Sequence, residues 1–147
     1  MSPLSQNNSL FIYGTLLSAQ VRDNVLGKSI PDSALTEAIA PFYKVMKVAG
    51  VHYPCLLSGN DADLADGAIL SDVTDDDLAL LDRFEGDNYE RRPIEVISDN
   101  QLVITQAYFP KITLATDGPW SFESWQQEEQ AAFLDKDFDL DGVRPPA

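Results

Sequence analysis

Glu85 is the residue in this sequence whose type and position best fit chemistry. It closes the run Leu81-Asp82-Arg83-Phe84-Glu85-Gly86 at the end of a short helix. Thr74 reads as that helix's N-cap, Asp77 as the acid that reaches back in a capping box, and Asp75 and Asp76 suit its positive end. Gly86 marks the exit. On the helical wheel Leu78 and Leu81 define the apolar stripe, with Phe84 at its edge. Glu85 comes seven residues after Leu78 and four after Leu81, so it projects onto the same stripe. Surface acids normally take the opposite face. A carboxylate at the buried corner of a helix C-terminus is pushed toward its protonated form by desolvation, by the negative helix end and by neighbours such as Asp82. A glutamate with a raised pKa is what acid–base catalysis near neutral pH requires. The alternative is a helix that ends one residue early and leaves Glu85 in solvent.

The second stretch with chemical potential is Tyr13-Gly14-Thr15-Leu16. An apolar run at 10–13 reads as a buried strand that stops at Gly14. A glycine there permits close backbone approach by a neighbouring segment or by a ligand. Free N–H groups in the following loop can hold a carboxylate or a developing oxyanion.

Other chemistries have weaker footing. His52 is the one histidine, and no Gly-x-Ser-x-Gly accompanies it, so it reads as structural. Cys55 is the one cysteine, which excludes an intrachain disulfide and a cysteine cluster for zinc. The run at 137–142 matches the start of a calcium loop, D-x-D-x-D-G, but its closing acid would fall beyond Ala147, so a solvated acidic tail is expected. Nothing fixes Glu90 at a glycosidase-like distance from Glu85. Trp120 and Trp125 read as packing residues.

The elements that must position Glu85 and the glycine loop follow from periodicity and punctuation. Ser18 caps a helix over 19–26, closed by Gly27. Strands are expected at 35–40, 42–48, from Pro54 into 55–57, at 68–70, at 89–97 and at 102–109, the last two joined by a hairpin turn at 98–101. Ser121 opens an amphipathic helix through Leu134. Many short strands around two or three helices give α+β: a small, mixed, curved sheet closed into a barrel and flanked by helices. The chain divides into a flexible tail (1–9), one domain (10–134) and an acidic tail (135–147). A hydrophobic share of 44% indicates a globular chain. The net charge of −14 repels nucleic acid and anionic lipid. No apolar run approaches ~18 residues, so no membrane span is expected, and the polar start without a signal pattern reads as cytoplasmic.

Three features stand together in order: Phe11-Ile12-Tyr13-Gly14-Thr15-Leu16, then Tyr53-Pro54, then Leu81-Asp82-Arg83-Phe84-Glu85-Gly86 with Tyr89 and Arg91. Together they resemble the γ-glutamylcyclotransferase-like superfamily, most closely its AIG2-like branch, which includes γ-glutamylamine cyclotransferases. The resemblance covers about residues 10–109, and the helix at 120–134 is similar to the tryptophan-rich C-terminal helix of plant-type members. It implies a small β-barrel and an enzyme that cyclises a γ-glutamyl amine or amino acid to 5-oxoproline, with no metal or organic cofactor. It implies that Glu85 is the catalytic residue and that Tyr13, Gly14, Thr15 and Leu16 bind substrate. Tyr89 and Arg91 either contact substrate or hold the Glu85 helix. Leu17-Ser18-Ala19 stands where the glutathione-degrading branch carries a tryptophan, which disfavours glutathione. The competing expectation is a non-catalytic binding or stress-response module on the same fold. The leaving amine and the oligomeric state stay open.

Overall fold

Local chemistry sets most elements within residues 8–146, the part of the chain that the structure, a computed structural model, describes. β1 (Asn8–Ile12) buries its apolar end and leads into a 3-10 turn, Thr15–Leu17. β1 therefore takes in two residues of the stretch read as a tail, and residues 1–7 lie outside the described part. The Ser18 hydroxyl caps α1 (Ala19–Leu26), and Gly27 ends it. β2 (Leu35–Pro41) and β3 (Tyr43–Val48) meet at Phe42, whose φ of 71° is unusual for a bulky side chain. β4 (Pro54–Ser58) and β5 (Leu64–Val73) precede α2 (Asp75–Glu85). β6 (Tyr89–Ser98) and β7 (Gln101–Pro110) form a hairpin whose turn residues, Asp99 and Asn100, both have positive φ. That geometry matches the right-handed twist of the strands.

The closed barrel expected from the sequence is not what forms. The strands divide into a five-stranded sheet, in the order β1-β5-β2-β6-β7, and a three-stranded sheet, β4-β3-β8, where β8 is Thr116–Pro119. Every ladder among the described residues is antiparallel, so the sheet is not mixed either. The edges β1 and β7 do approach, and the Ser9 and Thr105 hydroxyls share a hydrogen bond of 2.7 Å, but no backbone ladder joins them. Phe42 marks the reason. After β2 the chain turns there and enters the second sheet instead of continuing the first.

Two further departures have identifiable causes. β5 is longer than the apolar stretch at 68–70 because Gly67 lies inside it. A Cβ on Gly67 would fall 2.3 Å from the Ile12 carbonyl oxygen and under 3 Å from the Phe11 ring, so the glycine marks close packing of β1 and not a strand end. The helix expected over 121–134 is broken. α3 (Phe122–Glu128) stops at Glu129, and α4 (Gln130–Ala132) runs into a π-turn, Phe133–Asp137.

The larger core cluster holds Leu10, Leu81, Phe84, Trp125 and Phe133, all at most 1% exposed. Its aromatic part ties the C-terminal region to α2: Phe84 lies 6.5 Å from Phe133 and 5.4 Å from Phe138 between ring centroids. The Trp125 indole donates to the His52 carbonyl at 2.6 Å. No helix among the described residues is long and apolar enough to cross a membrane.

α2 depends on its N-terminus. The Thr74 hydroxyl accepts from the Asp77 N–H at 3.0 Å, and the Asp77 carboxylate accepts from the Thr74 N–H at 3.2 Å and from Lys28 at 3.0 Å. Thr74→Ala removes half of this box and is expected to cost about 1 kcal/mol. Urea unfolding should show a lower midpoint at unchanged slope. An unchanged midpoint would mean that the Lys28–Asp77 pair alone holds the helix start.

Candidate functional site

The periodicity that buries α2 also aims its last residue. Leu78, Leu81 and Phe84 are buried, and Glu85 continues their stripe before Gly86 (φ 87°) turns the chain away. The helix does not stop a residue early. Glu85 is half-buried, with its carboxyl in a cavity that also has Tyr13, Gly14, Thr15 and Leu16 in its wall. Tyr53, Tyr89, Tyr108 and Val143 line the same space. Its free volume is about 30 Å³.

Burial first, and the Asp82 charge second, push the Glu85 carboxyl up to about 8. Asp82 behaves in the opposite way. Burial alone would raise it, but Arg91 and Tyr108 outweigh that effect and hold it below the usual carboxylate range. Arg91 grips the Asp82 carboxylate with bonds of 2.7 and 3.1 Å and also donates to the Gln106 side chain. The Tyr108 hydroxyl donates to Asp82 at 2.6 Å. Of the two roles left open for Arg91, holding the helix is the one this geometry supports. Arg91 is absent from the cavity wall.

Four tyrosines ring the cavity, and burial raises each phenol above its ordinary range, so all four keep their protons. Three hydroxyls are committed: Tyr13 to the Tyr108 carbonyl, Tyr53 to the Arg144 carbonyl and Tyr108 to Asp82. The Tyr89 hydroxyl is buried with no hydrogen-bond partner among the described residues. An unpaired buried hydroxyl is costly, and a ligand oxygen or nitrogen would satisfy it.

The glycine loop is positioned by packing. A Cβ on Gly14 would sit 3.0 Å from Pro54 Cγ, so the close approach anticipated there is made by Pro54. The turn's own bonds use the carbonyls of Gly14 and Thr15, which receive the N–H groups of Leu17 and Ser18. The N–H groups at the start of such a turn have no partner within it.

The remaining candidates lie elsewhere. Glu90 pairs with Arg92 at 2.6 Å on an exposed strand face. His52 is tied to Asp137 through its ring at 3.0 Å and its backbone N–H at 2.6 Å. Asp137 is buried and also accepts from Arg144 at 2.8 Å, so this acid of the tail is not solvated. No group of three or more potential metal ligands gathers among the described residues. Tyr108 and Val143 are wall residues that reading the sequence missed. Tyr108 had a faint signal, since it sits opposite Arg91 in the hairpin register. Val143 had none.

A carboxyl whose folded pKa is raised binds its proton more tightly folded than unfolded. The unfolded chain loses that proton near ~4.3, so Glu85 draws stability down as pH rises from there to about 8, by about 1.4 kcal/mol per pKa unit. Glu85→Gln removes this effect. The variant should therefore exceed the wild type in stability at pH 8 and lose that advantage toward pH 4. Denaturant titrations at both pH values measure it, and parallel curves would place Glu85 in solvent.

The model of the family described as "Gamma-glutamyl cyclotransferase, AIG2-like" matches residues 10–127. The chain is 32% identical to AIG2-like protein D of Arabidopsis thaliana over 139 residues, covering 91% of this chain and 89% of the relative. An Arabidopsis thaliana protein solved in solution superposes with a TM-score of 0.67 at 27% identity, over 88% of this chain and 79% of that one. A structure described as gamma-glutamyl cyclotransferase superposes at 0.58 with 12% identity, over 95% and 89% of the two chains, and shares the fold.

Proposed function

The chain belongs to the AIG2-like gamma-glutamyl cyclotransferase family, and from that premise we propose that it cyclises a γ-glutamyl amine or γ-glutamyl amino acid to 5-oxoproline and releases the free amine, with Glu85 as the proton carrier. One observation carries this reading. The Glu85 carboxyl, pushed up to about 8, faces the same cavity as the 13–16 turn.

In the reaction the substrate's α-nitrogen forms a bond to its own γ-carbonyl carbon, and the bond from that carbon to the leaving nitrogen breaks. The α-amine arrives protonated and must lose a proton. The leaving nitrogen must gain one. A carboxyl pushed up to about 8 is far closer in proton affinity to an α-amine than an ordinary carboxyl near ~4.3 is, so proton exchange between them is much less uphill. An ammonium beside Glu85 favours the carboxylate, and removal of the ammonium proton leaves the acid that the departing amine needs. The α-nitrogen gives up two protons in all, one before it attacks and one after the ring bond forms. Glu85 passes the first to the leaving nitrogen, the departing amine takes up the second as it becomes an ammonium, and no water is consumed.

Ring closure also needs the chain folded back on itself. The substrate α-carboxylate against the N–H groups of the 14–16 turn would impose that fold, and orientation of this kind is worth up to ~7–11 kcal/mol in the best cases. The unpaired Tyr89 hydroxyl would donate to a substrate oxygen, either the α-carboxylate or the oxyanion formed at the γ-glutamyl carbonyl; its burial without a partner in the cavity wall supports this. Tyr13 contributes its backbone and ring, since its hydroxyl is spent on Tyr108.

The test is incubation with a panel of γ-glutamyl amines and γ-glutamyl amino acids, assayed for 5-oxoproline, with Glu85→Gln alongside. The variant keeps the shape and the 14–16 turn. It should bind substrate yet lose ~10²–10⁴ in turnover. If it retains more than about a tenth of the wild-type rate, Glu85 is not the proton carrier.

Tyr89→Phe supplies a second, smaller effect. It removes the unpaired hydroxyl without a cavity, so stability should hold or rise slightly. Turnover should fall roughly 10-fold or more, as for loss of a single hydrogen-bond donor at the reacting centre. Equal turnover would make Tyr89 a packing residue only.

A further inference from the structure

Residues 138–144 lie outside the stretch matched by the family model, yet they touch the candidate site at its centre. Val143 is part of the cavity wall. The Val143 N–H donates to the Phe84 carbonyl at 2.9 Å, immediately before Glu85 in the chain. Gly142 packs on Gly86, where a Cβ built on either glycine would lie 3.5 or 3.6 Å from the other's Cα. Asp141 reaches Arg83 in an ion pair exposed on both sides.

The segment's base is held differently. The Arg144 N–H donates to the Asp137 carbonyl at 2.9 Å, so the loop is closed at its two ends. The Arg144 guanidinium meets the buried Asp137 carboxylate at 2.8 Å, and the same carboxylate accepts from His52. The Tyr53 hydroxyl adds a bond to the Arg144 carbonyl at 2.8 Å. Phe138 packs against Phe84 and Phe133. The loop thus has a buried, multiply bonded base and a tip held to α2 by one backbone bond, a glycine contact and a solvent-screened ion pair.

Size makes this asymmetry consequential. A free volume of about 30 Å³ holds about two water molecules at ~10–15 Å³ each. Ligand sites generally offer ~300–1,000 Å³. A γ-glutamyl group needs more room beside Glu85 than this volume offers, so some part of the wall, Val143 included, must give way to admit one. Of the segments in the cavity wall, β1 and α2 are fixed by ladder and core, and the loop tip is the one held by few contacts.

We propose that residues 138–144 are a flap: its tip lifts off the end of α2 to admit the substrate, while its base at Asp137 and Arg144 stays fixed. The ligand named here rests on the cyclotransferase reading. The flap itself is read from the contacts.

Amide hydrogen exchange distinguishes a flap from a rigid wall and from a frayed tail. In the wild-type protein the Val143 amide should exchange at least tenfold faster than the Arg144 amide, although Arg144 is further along the chain. Val143 and Arg144 both exchanging as slowly as Val96, in β6 between β2 and β7, would mean a rigid wall. Both exchanging equally fast would mean a frayed tail. Either result overturns the proposal.

A lock supplies the second arm. In Gly86→Cys/Gly142→Cys a disulfide would pin the tip. Both positions have positive φ, so the substitutions carry strain, and the oxidised protein is compared with its own reduced form. Oxidation should remove at least nine-tenths of 5-oxoproline formation, and reduction should restore it. Equal rates in the two forms would overturn the flap. If wild-type protein forms no 5-oxoproline from any member of the panel, the cyclotransferase reading fails, and the exchange rates still decide whether the flap exists.

Discussion

The last turn of α2 is the constraint on which the site depends. Phe84 is 1% exposed and sits against Phe133 and Phe138, while Leu81 one turn earlier is fully buried. With both pinned, the helix cannot rotate. The residue after Phe84 must face the space between β1, Tyr53 and the hairpin, and that residue is an acid. The energetic tension is real, because an ionised carboxylate there would be stripped of water. The core resolves it by keeping the proton on. Hydrophobic packing and proton chemistry are therefore one arrangement in this fold.

Asp82 and Glu85 show how one helical turn gives two acids opposite characters. Asp82 points to the hairpin, where Arg91 and Tyr108 supply donors to its ionised form. Glu85 points into the cavity, where the surrounding phenols are neutral and the charge that acts on it, that of Asp82, is negative. Pairs of groups pushed apart in this way mark acid–base sites. The arrangement also binds α2 to both strands of the hairpin, so the charge that tunes Glu85 belongs to the same contact that fixes the helix.

The part of the site that could be read from the sequence is the part governed by local periodicity. The spacing from Leu78 to Glu85 placed the acid on the buried stripe, and Thr74 and Gly86 fixed the helix limits, because caps and stripes depend on near neighbours. Gly14 was legible as a point of close approach, though not that Pro54 makes it. What failed was non-local. Whether β7 pairs with β1 depends on the accumulated twist of five strands and on where Phe42 diverts the chain, and neither is written in any one segment. The strand expected at 68–70 stopped short of Gly67, because that glycine's reason for being small, the Ile12 carbonyl, lies in another strand. The acids after residue 134 looked solvated because their composition is that of a wet tail. Asp137 is buried only because His52 and Arg144 meet there.

The cavity wall runs from Phe11 near one end of the described chain to Val143 near the other. Topologically it is a highly non-local feature of the fold, whereas the β6–β7 hairpin closes through a two-residue turn and pairs strands adjacent in sequence. Contacts of long sequence separation are slow to form and are completed after local ones. Part of the wall is also peripheral, since Val143 belongs to a loop. Partial openings start at such places. Mild heat or denaturant would therefore dissolve the pocket while most backbone pairing persists, so pocket integrity and secondary-structure content report on different cooperative units of this molecule.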